Sequence, residues 1–297
     1  MQTTIDKLEK IAKERHLNVY WITQIEEGTA HTVSVTPANL CNDIFSISKA
    51  FTSTALGMLW DTGKLSLDDT VYDLFSGEYP NISTVWKTVT LQHVLTHTTG
   101  ITAGFLDVDT DQNIAVAEGT DDYLQIVLEH VPTVTPGTQW VYSDSNYYLI
   151  SRVVEKLSGI PLEVFLRERL FRPLQFQGVG FAKCPRGHAM GATGLFMSTA
   201  DLAKFGKLCL DGGTWQGRSL VSREWLELST GHQQAIDKNR FYGFGFVGNR
   251  GQSFIGSNGM NGQRLFASRK HKTVIAWTAH ITDDSLQALT DILTEDE

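Results

Sequence analysis

Ser46 and Lys49, in the stretch NDIFSISKAFTS (42–53), are a hydroxyl and an amine at a spacing that puts both on one face of a helix. A serine hydroxyl is a poor nucleophile unless a neighbour takes its proton. A lysine does that only when burial or another charge lowers its pKa. At a helix N-terminus the serine's own N–H is unpaired and oriented toward a developing oxyanion. Serine is equally a preferred N-cap, and S-x-x-K is a weak pattern, so the spacing by itself favours a cap over a nucleophile. Ser48 faces elsewhere, while apolar Phe45 and Ile47 around the serine imply that Lys49 sits at a domain boundary and not in open solvent.

The elements that must position these groups follow from periodicity. Ile5, Leu8, Ile11 and Ala12 recur at helical spacing, so the chain opens with an amphipathic helix. NVYWITQ (18–24) and the run 29–35 read as strands joined across Glu26, Glu27 and Gly28, a hairpin. From 47 to about 62, Ile47, Ala50, Phe51, Thr54, Ala55, Met58 and Leu59 mark a single face of a helix, with Gly63 as its stop. Residues 64–235 read as helices and loops without a strand ladder. Strand patterns return in FYGFGFVG, QSFIGS, GQRLFAS and KTVIAWTAH, and Leu286, Leu289, Ile292 and Leu293 predict a closing helix. Strands at both ends of the chain around a helical middle imply a mixed sheet with a long helical insertion.

Composition restricts what such a site would act on. The 297 residues are 41% hydrophobic and 20% charged, enough to bury a large core in one domain or two interleaved ones. A net charge of -8 offers no basic field for phosphate backbones, which argues against nucleic acid as a partner. The charged N-terminal stretch is no signal peptide and no window approaches a membrane span, so a cytoplasmic location without membrane contact is expected. Cys41, Cys184 and Cys209 stand far apart with no CxxC spacing, suggesting neither a disulfide framework nor zinc. His93 and His97 lack the glutamate of a zinc-protease motif, and GFGFVG lacks the strand-to-helix context of a phosphate loop. Neither metal nor cofactor is therefore expected.

Beyond S-x-x-K the chain resembles the serine β-lactamase, DD-peptidase and related esterase family, especially its class C-like branch. GKLSLDDTVYDLF (63–75) is similar to the segment after the family's nucleophile helix, and TLQHVLTHTTGI (90–101) to its Leu-Leu-Thr-His-Thr-Ser-Gly element. WVYSDSNYYLISRVVEKLSG (140–159) looks like the Tyr-Ser-Asn segment, and LRERLFRPLQF (166–176) and GLFMSTADLAKFGKL (194–208) match two further landmarks. The resemblance implies Ser46 as the acylated nucleophile, Lys49 as its proton partner and Tyr142 as the catalytic tyrosine. Two positions depart from the pattern. Asp144 stands where the family commonly has Asn, so it would hold Lys49 charged or bind a cationic substrate group. In FIGSNGMNGQRLF (254–266) the third motif reads Ser257-Asn258-Gly259, without the usual cation, unless Arg264 or Lys270 substitutes.

The implied fold is α/β (α+β) of the β-lactamase/transpeptidase type: a mainly antiparallel sheet flanked by terminal helices, with a large inserted helical domain. Residues 1–45 and 236–297 would form the sheet domain, 46–235 the helical one, and the site would lie in the seam. The implied reaction is acyl transfer to water on a small-molecule ester, amide or lactam. The N–H groups of Ser46 and Met260 would hold the oxyanion, and Asp144, Ser257, Asn258 and Gly259 would line the substrate cleft. The missing cation favours an esterase or small-amide hydrolase over a β-lactamase or D-alanyl-D-alanine peptidase. An inactive ligand- or partner-binding homologue is the alternative of another class. On this reading Ser46 is both helix cap and nucleophile.

Overall fold

The computed structural model describes residues 3–106, 118–231, 233–251 and 254–294; the first two residues of the expected QSFIGS strand lie outside that set. The chain begins with helix α1 (Thr4–Glu14), where Thr3 and Asp6 form a reciprocal capping box. Strands β1 (Val19–Glu26) and β2 (Thr29–Ser34) form the expected hairpin, closed by Glu27 and Gly28, both at positive φ. Helix α2 (Ser48–Trp60) follows, preceded by a single 3₁₀ turn over Phe45–Ile47. Helices α3 (Asp144–Ser158), α4 (Thr199–Leu210), α5 (Arg223–Thr230) and α6 (Gln287–Thr294) are the other long ones.

Short strands β3 (Asn42–Asp43), β4 (Val179–Phe181) and β5 (Leu195–Met197) make a small sheet, and β6 (Thr214–Trp215) pairs with β7 (Arg218–Ser219). Most of these fall in the stretch where no strand ladder was expected. At two or three residues they are too short to display an alternating pattern. Strands β8 (Gln234–Ala235), β9 (Arg240–Tyr242), β10 (Val247–Asn249), β11 (Phe254–Gly259), β12 (Gln263–Ser268) and β13 (Thr273–Ala279) complete the main sheet. It is antiparallel throughout, in the order β2-β1-β13-β12-β11-β10-β9-β8, so it is built from both ends of the chain.

Each face of the sheet is covered by a different layer. On one, Leu8 and Ala12 of α1 and Leu289 and Leu293 of α6 pack with Ile22, Phe266, Ile275 and Trp277. On the other, α4 lies against β1, β12 and β13, and a 2.8 Å hydroxyl contact joins Thr199 to Thr23. The segment 199–210, read as part of the helical unit, is thus packed directly on the sheet. No helix among the described residues is long and apolar enough to cross a membrane.

Helix α2 departs from the one-face pattern: every residue from Ser48 to Leu59 is buried. Its polar positions are tolerated because they are hydrogen-bonded. Thr52 donates to the Gly191 carbonyl, Thr54 to the Ala50 carbonyl, and the Ser48 hydroxyl accepts from the Leu195 N–H. Gly57 lets α5 approach closely, since a Cβ there would lie 2.3 Å from Cδ1 of the fully buried Trp225. Gly57→Ala should therefore destabilise the fold by about 1–3 kcal/mol through overpacking. A lowered urea midpoint with an unchanged m-value checks this, and an unchanged midpoint would show that the indole can move aside.

Candidate active site

The catalytic candidates meet where α2, α3 and β11 converge. Ser46 sits in the 3₁₀ turn and not at the cap of α2; the N-cap position is Ile47, and no side chain caps the helix. The dual reading of Ser46 is corrected accordingly: its hydroxyl is turned away from the helix backbone toward two side chains. Tyr142 donates to Ser46 Oγ at 2.7 Å and Lys49 Nζ donates to the same oxygen at 3.0 Å. Phe45 adopts φ 47°, a left-handed conformation that an aromatic residue rarely takes, immediately before the serine.

Lys49 is 1% exposed, as its place in α2 requires. Its three ammonium protons have three acceptors: Ser46 Oγ, Asp144 Oδ1 at 2.6 Å and the Ala192 carbonyl at 3.0 Å. Burial alone would depress the lysine pKa. Attraction to Tyr142 and to Asp144 outweighs it, and the net displacement is upward. Lys49 is therefore held as an ammonium, with no lone pair to receive the serine proton. Of the two roles open to Asp144, binding Lys49 is the one its geometry fits. The Lys49 ammonium also faces the Tyr142 ring, 4.7 Å from its centroid.

His97 fixes the tyrosine. Its carbonyl accepts from the Val141 N–H at 2.9 Å, and its Nδ1 accepts from the Ser143 N–H at 3.3 Å and the Asn146 amide at 3.0 Å. With Nδ1 an acceptor, Nε2 carries the proton and donates to the Tyr242 hydroxyl at 3.1 Å. Burial, and then the Lys49 charge, keep the imidazole pKa well below 6.5, so the ring is neutral. Its ring centroid lies 4.6 Å from that of Tyr142. His93 and His97 do not share a helix face, because the helix Leu91–Leu95 ends between them; His93 Nδ1 instead accepts from the Thr90 N–H. Among the described residues no cluster of His, Cys, Asp or Glu suited to a metal occurs.

Strand β11 brings the third motif to the site, but only in part. Gly259 lies against the serine turn so closely that a Cβ would come within 2.3 Å of the Ile44 carbonyl oxygen, which puts Met260 beside that turn. Neither the Ser46 nor the Met260 N–H has a hydrogen-bond acceptor among the described residues. Ser257 is buried on the same face as Ile255 and its hydroxyl is spent on the Gly245 carbonyl at 3.1 Å. Asn258 is a correction. Strand alternation sends its side chain to the opposite face, where it accepts from Arg264, so it does not line the cleft. Arg264 is on that same reverse face and cannot supply the missing cation. Sequence reasoning missed the Ala192 carbonyl and the His97 network, whose partners come from segments far apart in the chain.

Comparison with known proteins identifies the family. The β-lactamase family model matches residues 19–293. The putative penicillin-binding protein PbpX of Bacillus subtilis strain 168 is 28% identical over 198 residues, covering 59% of this chain and 47% of that protein. A putative D-alanyl-D-alanine carboxypeptidase of Escherichia coli O157:H7 is 26% identical over 241 residues, covering 63% of this chain and 55% of that protein. The chain thus spans about half the length of these curated relatives. A putative 6-aminohexanoate-dimer hydrolase from Bacillus anthracis superposes with a TM-score of 0.84 over 97% of this chain and 80% of that one, at 17% identity. A D-stereospecific amidohydrolase from Streptomyces sp. does so with a TM-score of 0.74 over 96% and 97%, at 19% identity. With the fold shared by those solved structures and a family match running from β1 into α6, this chain belongs to the β-lactamase family of serine hydrolases.

Proposed function

We propose that the protein hydrolyses a small ester or amide through an acyl-enzyme on Ser46. The observation that carries this reading is the convergence of the Tyr142 hydroxyl and the Lys49 ammonium on one serine oxygen. Lys49 has its protons committed, so Tyr142 is the proton carrier: once its own phenolic proton is lost, it takes the serine proton as Oγ attacks the carbonyl carbon and later passes it to the leaving group. The transfer begins from a Tyr142 phenolate and leaves a phenol, and the Lys49 ammonium facing the ring at 4.7 Å is the positive charge that offsets the phenolate. The free N–H groups of Ser46 and Met260 receive the carbonyl oxygen as it becomes an oxyanion. Water then attacks the acyl carbon, releasing the carboxylic acid and restoring the serine.

Two features support a small ester or amide over a penicillin. Ser257 brings no positive charge to the cleft side of β11, and the nearest arginine of the adjoining strand, Arg264, is directed to the other face. Asp144 has no N–H to donate to a substrate amide carbonyl, and its carboxylate is occupied by Lys49. The amide hydrolases named among the structural neighbours fit the same substrate class. A D-alanyl-D-alanine peptidase or β-lactamase is the second reading, favoured by the names of the curated relatives.

Incubation with a fluorophosphonate should add one phosphonyl group per chain, mapped by peptide mass spectrometry to the peptide containing Ser46, and should stop p-nitrophenyl ester turnover in proportion. No adduct together with no turnover would reject the enzyme. Acylation by benzylpenicillin faster than by the ester would favour the second reading over the first.

A further inference from the structure

The reverse face of the sheet contains a polar site that the catalytic reading does not use. Asn258, Arg264 and Trp277 are register partners across β11, β12 and β13, and the Arg264 guanidinium lies 5.8 Å from the Trp277 ring centroid. Its protons reach only neutral acceptors: Asn258 Oδ1, and Thr290 Oγ1 of α6 at 3.2 Å. Its Nε is shut off from solvent with no acceptor at all. Among the described residues no carboxylate pairs with it, although the chain has 33 Asp and Glu against 25 Lys and Arg. Burial pushes its pKa down to about 10.

This arginine edges a cavity of about 300 Å³ between β10, β11, β12 and α6, walled by Phe254, Phe266 and Leu293 and bordered by Gln287. We propose that this cavity binds a small monocarboxylate, with its carboxylate on the Arg264 fork and its hydrocarbon part against Phe254 and Leu293. A planar guanidinium whose Nη groups meet only neutral acceptors among the described residues matches a planar carboxylate. Among the described residues Arg264 is the cation of this cavity without a carboxylate partner, since Arg240 on its rim is paired with Asp237 at 2.7 Å. A phosphate dianion would bring a second negative charge with nothing to meet it. The apolar walls favour an alkyl or aryl carboxylate over a bare inorganic anion. The site is separate from the serine cleft and does not depend on the acyl-transfer reading.

The test is titration of hexanoate into the full chain, followed by saturation-transfer NMR and calorimetry, beside hexanamide and inorganic phosphate. Hexanoate should bind saturably at one site sensitive to Arg264, and hexanamide, which keeps the shape without the charge, should not. Arg264→Gln should weaken hexanoate binding to that site by about tenfold or more. Hexanoate should also raise the melting temperature of the native chain and leave that of the variant unmoved. Asn258→Ala, which removes one support of the fork, should weaken binding as well and serves if the glutamine variant does not fold. Absence of saturable hexanoate binding, or binding undiminished in both variants, would overturn the proposal. So would Arg264-dependent binding of phosphate in preference to hexanoate.

Discussion

Ser46→Ala is expected to lower kcat on a p-nitrophenyl ester by about 10⁴- to 10⁶-fold while leaving the protein folded. The activity loss follows from chemistry. In the proposed acyl-enzyme mechanism neither Tyr142, as proton carrier, nor Lys49, with its three protons committed, can replace the oxygen that forms the acyl bond. The small structural cost follows from the hydrogen bonds that remain. Lys49 keeps Asp144 and the Ala192 carbonyl, and the Tyr142 hydroxyl belongs to a residue 36% exposed, so water can satisfy it. Stability should change by no more than about 1 kcal/mol. Initial rates and urea midpoints on the same preparations check both halves. A variant retaining more than about 1% of native turnover would place the nucleophile elsewhere.

Breaking the Lys49–Asp144 pair should do the opposite to stability. Lys49→Ala leaves the Asp144 carboxylate, 5% exposed, without its counter-charge, and a cost of about 3–5 kcal/mol is expected. Turnover should fall by about 10²- to 10⁴-fold as well, since the proton exchange at Ser46 loses its electrostatic partner. Asp144→Asn separates charge from shape. It retains an oxygen acceptor for the ammonium but removes the attraction that raises the lysine pKa. The stability owed to a raised lysine pKa is fully present below the ordinary value of 10.5 and is lost as pH rises through the folded value. The native protein should therefore be more stable than Asp144→Asn at about pH 8, and the gap should narrow toward about pH 11. Paired urea melts at the two pH values measure it. A gap that stays constant would mean that the pair does not retain the proton.

Much of this architecture was legible because it rests on local signals. The α1 periodicity, the Glu27–Gly28 hairpin and the long closing strands each write their pattern over enough residues to be read. The strands at Val179–Phe181 and Leu195–Met197 do not, and they form only because neighbouring segments present ladder partners. At the site, S-x-x-K and the tyrosine segment announced residues that prove adjacent. The facing of Asn258 was not visible, since a three-residue motif read as a block ignores the alternation that divides it between two faces of a sheet. The role of His97 was hidden for another reason: its significance lies in holding Val141 and Ser143 on either side of Tyr142, a relation made only by folding.

The enclosure of α2 on every side has a consequence for how the protein fails. Its amides have no route to solvent through a local fluctuation of one exposed flank, so they belong with the last to exchange and open only when the whole core opens. The lysine and the turn bearing the serine are mounted on that segment. The integrity of the proposed site is thus tied to that of the core, since any opening that frees α2 also takes the Ser46–Lys49 contact apart.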